Sequence, residues 1–218
     1  MGPRLTLPTM TGWEVAVLHE LGGRTSQQDA WACLPATPFA GATADVFAVF
    51  DGLGGLPRGA DAADACAKGL AAVLQACPSL ERAMQALDAA ARATGGATTA
   101  TLLAVAPDGR GQVATVGDSS AYHLRDGLLD LLVPGGRAAT GAVTSALGRG
   151  GAPRLASFTA KPGDTVAAAT DGVGDFFAPL HLERLLARAP AEAAQAAWAE
   201  VRRRGAPDNA TLVVARRA

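Results

Sequence analysis

DVFAVFDGLGG, residues 45–55, decides how this chain is read. Val46 to Phe50 are five consecutive apolar residues, so the strand they form is expected to be buried on both faces. The run stops abruptly at Asp51-Gly52. A carboxylate at the end of a buried strand is costly to ionise unless a positive charge compensates it. The same arrangement recurs at Asp171-Gly172, which ends a strand candidate at 164–170. Asp29 stands just before WACL (31–34), and Asp208 just before ATLVVA (210–215). Two other Asp-Gly pairs, Asp108-Gly109 and Asp126-Gly127, lie between short amphipathic runs and read as ordinary hairpin turns. Any one of the strand-end aspartates, taken alone, reads as a turn or cap. Together, oxygen ligands beside glycines suit hard divalent cations such as Mg²⁺ or Mn²⁺.

Outward from this centre, WEVAVLHE (13–20) alternates as a strand, with Trp13, Val15 and Val17 inward and polar neighbours. Cys66, Leu70, Val73, Leu74 and Cys77 recur at helical spacing. Leu80, Met84, Leu87 and Ala91 repeat the pattern after Pro78, with Ser79 placed as N-cap. Residues 97–106, 111–117, 120–125 and 128–133 are short apolar runs joined by tight turns, which pair antiparallel neighbours. Residues 134–153 are rich in Gly, Pro and Ala and carry no clear element. Two last helices present Leu182, Leu185 and Leu186, then Ala194, Trp198 and Val201, before a final strand in PDNATLVVARR. Paired helices around clustered antiparallel strands predict an α+β layered domain. No linker or internal repeat divides it, so residues 1–218 are expected to form one domain.

The composition narrows the partners. About half the residues are hydrophobic and 18% are charged, which supports a packed core rather than a disordered chain. The formal net charge is −1, and 17 of the 19 basic residues are Arg. The densest basic run, Arg202 to Arg204, reads as a solvated helix end, so nucleic acid is not an expected partner. Cys33, Cys66 and Cys77 lack the spacing of a zinc site or a disulfide framework. No long apolar segment marks the N-terminus, so no membrane partner and a cytoplasmic location are expected. His19, His123 and His181 have no companion at ligand spacing, and GLGGLPRG lacks the Lys-Ser/Thr of a nucleotide-binding P-loop.

Six motifs, in order, carry a resemblance: GGRTSQQDA, VFAVFDGLGG, GATTATLLAV, VATVGDSSAYHLRDG, ATDGVGDFF and PDNATLVV. The chain resembles the type 2C (PPM) metal-dependent serine/threonine protein phosphatases, especially small bacterial members, from about residue 13 to 216. The resemblance implies an antiparallel β-sandwich flanked by pairs of helices in αββα layers. It implies hydrolysis of phosphoserine and phosphothreonine by a metal-activated bridging water, with two Mg²⁺ or Mn²⁺ ions and a third, weaker site. Asp51 matches the aspartate that touches both metals, with the Gly52 carbonyl as a further ligand. Asp171 and Asp208 match the aspartates that complete the first site, and Asp118 with Asp171 would hold the third ion. Asp29 matches an acidic residue that positions water, and Arg24 matches the arginine that grips the substrate phosphate. Gln28 and Asn209 would support the metal waters and ligands from behind. The implied partners are a phosphorylated protein and a cognate Ser/Thr kinase with its targets, met by a monomer.

Three departures bear on this reading. Gln28 stands where the family commonly has a glutamate, which predicts weaker binding at the second metal. Leu53 replaces a His that is a candidate acid for the leaving alkoxide, so water must protonate the product. Only 20 residues separate Arg125 from Ala146, where relatives insert a longer flap; the reduced segment falls at about 134–150. These departures also suit a pseudophosphatase that binds phosphoproteins or a regulatory partner without turnover. The retained Asp51, Asp171 and Asp208 favour catalysis, because such charges are costly to keep without metal.

Overall fold

A computed structural model describes residues 10–54, 58–134, 136 and 143–218. Two five-stranded antiparallel sheets stack face to face. The first runs β1 (Trp13–Glu20), β10 (Ala210–Arg217), β9 (Thr165–Ala169), β6 (Ser120–Arg125) and β7 (Leu128–Val133). The second runs β2 (Asp29–Phe39), β3 (Ala42–Asp51), β4 (Ala100–Val105), β5 (Arg110–Val116) and β8 (Arg154–Thr159). Helices α1 (Gly59–Ala76) and α2 (Leu80–Thr94) cover the second sheet. The first sheet is covered by the one-turn α3 (Asp171–Gly174) together with α4 (Pro179–Leu186) and α5 (Pro190–Arg203).

This layering makes three cores. Phe47, Val49, Leu103, Val113, Val166 and Val213 meet between the sheets. Val46, Phe50, Leu70, Leu74, Met84 and Leu87 meet under α1 and α2. Leu182, Leu186, Ala197, Val201, Leu212 and Val214 meet under α4 and α5. Val46 to Phe50 are wholly buried because alternate residues of β3 feed the inter-sheet core and the α1/α2 core. Ser79 caps α2 by accepting from the Arg82 amide at 3.3 Å, and Gly95 closes that helix in the left-handed region. Asp126 and Gly127, both at positive φ, turn β6 into β7.

Four local readings need correction. β8 was not anticipated: it follows a Gly/Pro/Ala-rich stretch and alternates RLASFT weakly, yet it pairs with β5 from Arg154 to Thr159. β2 extends well past WACL to Phe39, across an irregularity between Leu34 and Thr37. Asp171 opens a short helix rather than closing β9. The neighbours of Val15 and Val17 in β1 are Ala16 and Leu18, which pack into the α4/α5 core, so β1 is covered on its second face as well. Of the segment expected as a reduced flap, residues 135 and 137–142 lie outside the described residues.

Candidate metal centre

Strand direction gathers the expected residues at one end of the sandwich. In the first sheet Glu20 pairs with Ala210, Leu212 with Ala169, and Ala169 with Ser120. Asp171, Asp208 and Asp118 leave from those same strand ends. In the second sheet Asp29 and Asp51 are direct cross-strand partners at the start of β2 and the end of β3. The sheets are stitched together here: the Thr170 hydroxyl of the first donates to Asp29 Oδ2 of the second at 2.9 Å.

Electrostatics report the same clustering. Burial pushes the Asp51 carboxyl well above its ordinary range, and the charges of Asp29, Asp171 and Asp118 push it further. Asp171 stands close enough to Asp51 to add to that rise both by its charge and by direct contact of the two carboxyls. Asp29 is raised to about 7 by burial, with Asp171 and Asp208 adding to the rise and donation from Thr211 and Thr170 opposing it. Arg24 faces these aspartates. Its Nε and Nη2 donate to the two oxygens of Asp208 at 2.7 and 2.6 Å, and Asp171 and Asp51 add to the field that raises its pKa.

The backbone around the aspartates is closely fitted. A Cβ on Gly52 would lie 2.5 Å from the Gly59 backbone and 2.6 Å from the Gln28 carbonyl, while the Gly52 amide donates to that carbonyl. A Cβ on Gly172 would lie 1.8 Å from the Asn209 carbonyl, so only glycine lets the Asp171 turn meet the start of β10. Asn209 holds the Arg24 loop in place. Its Oδ1 accepts from the Gln28 amide at 2.8 Å, and its Nδ2 donates to the carbonyls of Leu21 and Ser26. The Asp51 amide lies 3.1 Å from the Thr99 hydroxyl, which in turn meets Ser119 Oγ at 2.7 Å.

Thr170, Thr211, Thr99, Ser119 and His19 therefore join the site; of these, only His19 offered a sequence hint, standing five residues before Arg24. The Thr211 hydroxyl donates to Asp29 at 2.7 Å, and His19 Nδ1 lies 3.0 Å from that same oxygen. With the Thr211 proton committed to Asp29, His19 must donate from Nδ1. Burial lowers the His19 pKa, with Asp64 opposing. The available signal was the chain's Thr-rich strand ends, but a threonine in a strand is ordinary and its partner comes from another sheet.

Among the described residues no three His, Cys, Asp or Glu side chains are gathered at ligating distance. Asp208 gives both oxygens to Arg24, and Asp29 gives Oδ2 to two threonines. The donor set nonetheless fits divalent cations. Asp29, Asp118 and Asp171 stand close enough to oppose ionisation of Asp51, and the ligand chemistry is all oxygen. A cation would offset the mutual repulsion that raises Asp51.

No protein-family model and no curated protein matches the chain. Solved structures do. The fold is similar to that of PppA, a key regulatory component of T6SS in Pseudomonas aeruginosa: TM-score 0.81, 22% identity, covering 94% of this chain and 98% of that one. It is similar to the catalytic domain of the serine threonine protein phosphatase PstP in complex with two manganese ions, with TM-score 0.78, 26% identity and coverage of 94% and 97%. It is also similar to the PPM Ser-Thr phosphatase MsPP from Mycobacterium smegmatis in complex with cacodylate, with TM-score 0.77, 23% identity and coverage of 94% and 98%.

Proposed function

We infer that the chain is a member of the type 2C (PPM) serine/threonine phosphatases. It is a metal-dependent hydrolase that removes phosphate from phosphoserine and phosphothreonine in proteins. The observation that carries this reading is the convergence of five aspartates and Arg24 from separate segments on one end of both sheets.

The residues divide the work. We assign Asp51 to hold both cations, the Gly52 carbonyl as a further ligand, and Asp171 and Asp208 to complete the first position. Gln28 would face the waters of the second position, and Asp118 with Asp171 would hold a third ion. Two divalent cations, Mg²⁺ or Mn²⁺, would make a water acidic enough to attack and would neutralise charge building on phosphorus. Asp29, with Oδ2 taken by Thr170 and Thr211, has Oδ1 left to orient that water. Arg24 offers its fork to two phosphate oxygens once it leaves Asp208, so phosphate and Asp208 compete for one guanidinium. Asn209 keeps the Arg24 loop at the distance this exchange needs. Leu53 has no proton to give, so solvent protonates the departing alkoxide.

We further propose that the chain works as a single-domain monomer in the cytoplasm, opposite a cognate Ser/Thr kinase. No helix among the described residues is long and apolar enough to cross a membrane. The test is hydrolysis of p-nitrophenyl phosphate with Mn²⁺, with Mg²⁺ and with EDTA. Turnover that a metal restores and EDTA abolishes is the expected result. Folded, manganese-loaded and inert protein would overturn the hydrolase reading in favour of phosphoprotein binding or scaffolding without turnover.

A further inference from the structure

α4 and α5 leave an open groove of about 470 Å³ between them. From α4 and the residues after it, His181, Arg184, Leu185 and Arg188 line the groove at i, i+3, i+4 and i+7; from α5 and its end, Ala196, Glu200, Arg203 and Arg204 do so at i, i+4, i+7 and i+8. The floor is apolar: Phe177, Leu185 and Ala196 pack on the α4/α5 core. The walls are basic. Four arginines face one carboxylate, on a chain whose net charge is −1.

The arginines are not equivalent. Glu200 engages Arg203 at 2.7 Å and Arg204 at 2.7 Å. Arg184 and Arg188 are exposed, and among the described residues their guanidinium groups have no carboxylate partner. Arginines near helix C-termini offset the helix dipole, which accounts for charge along the last turns. It does not account for two forks without a carboxylate partner lining an apolar trough. The Arg202–Arg204 run, expected as a solvated helix end, gives two of its three members to this groove.

We propose that this groove docks an acidic segment of the phosphoprotein substrate, remote from the phosphate that is hydrolysed. The proposal rests on the phosphatase reading for its consequence, but the binding step is separate from it. Planar guanidinium forks match carboxylates, and an apolar floor takes the side chains between them. The volume suits a short stretch of peptide and is far too small for a duplex. Phe177 lies six residues after Asp171, a separation of at most about 22 Å, so one extended peptide reaches both places.

The test compares a phosphothreonine peptide carrying a run of glutamates, the same peptide with glutamines, and p-nitrophenyl phosphate. Wild type is expected to prefer the glutamate peptide by about ten-fold in kcat/KM. Arg184→Glu with Arg188→Glu should remove that preference and leave p-nitrophenyl phosphate turnover unchanged. Arg184→Gln with Arg188→Gln repeats the test should the reversal disturb folding. A preference absent from wild type, or intact in either variant, overturns the proposal. Anisotropy of a labelled glutamate-rich peptide without phosphate reads docking even if no turnover is found, which separates failure of the groove from failure of the phosphatase reading. Loss of peptide binding in the variants supports docking. Equal binding of a single-stranded oligonucleotide of the same charge overturns it in favour of general anion attraction.

Discussion

Burial and the neighbouring carboxylates oppose ionisation of Asp51, and Asp208 is held by Arg24, so the carboxylates that would receive cations are crowded or already paired. That state sets expectations for single substitutions. Gln28 sits beside the glycine loop, its Oε1 2.9 Å from where a Gly54 Cβ would stand. Gln28→Glu adds one charge to that wall and should tighten manganese binding roughly ten-fold, since ligand charge tunes affinity. Equal affinities by calorimetric titration would sink this assignment. Arg24 and Asp208 are 49% and 34% exposed, so their pair contributes at most about 1 kcal/mol to stability. Arg24→Ala should therefore leave the melting temperature nearly unchanged while kcat/KM on a phosphopeptide falls about 100-fold, a loss of oriented phosphate contacts. A large drop in melting temperature with little loss of activity would reverse that assignment. Asn209 is different because it is buried with three loop partners. Asn209→Ala should cost about 2–3 kcal/mol in chemical denaturation and loosen the loop that presents Arg24.

At the scale of elements, the end of the sandwich opposite the metal centre is held by Asp164, just before β9. It bonds His123 of β6 at 2.8 Å, the Arg125 guanidinium at 2.6 Å and the Lys161 amide at 2.8 Å. Burial acts to raise its pKa, but donation from Arg125, Lys161 and His123 outweighs it and holds the carboxyl below its ordinary range. A depressed carboxylate stabilises the fold above its unfolded pKa, and that contribution is lost as pH falls through the folded value. Asp164→Asn should cost about 3 kcal/mol near neutrality, with the gap to wild type closing below about pH 4. A gap that stays constant into acid would show that Asp164 acts by packing alone. The same contrast explains what the sequence makes legible. DVFAVF and the Leu80–Ala91 periodicity each state their environment within a few residues, so β3 and α2 were read correctly. RLASFT does not, because an edge strand with one neighbour alternates weakly, and β8 emerges only from its pairing with β5. The grouping of the aspartates was legible because each flanks an apolar run and falls in one of the ordered motifs. Thr170 and Thr211 were not, since their hydroxyls act on a residue 141 and 182 positions away.

At the scale of the whole molecule, three cores fix two sheets so that Asp29 from one and Asp171 from the other meet at a common end. Opposed carboxylates strain that end, and a ligand that binds only the folded state relieves it. Manganese at 100 times its dissociation constant should stabilise the protein by about 2.7 kcal/mol, read as a rise in melting temperature that EDTA reverses. A melting temperature indifferent to manganese would contradict a preformed binding site. The central claim, that the carboxylates grouped around Asp51 carry out metal-dependent phosphate hydrolysis, is tested most directly by turnover of a phosphothreonine peptide in Mn²⁺ by wild type and Asp51→Asn. The account predicts steady turnover by wild type and a loss of at least about 1000-fold in the variant, with unchanged circular dichroism. Comparable turnover by the two proteins would contradict it.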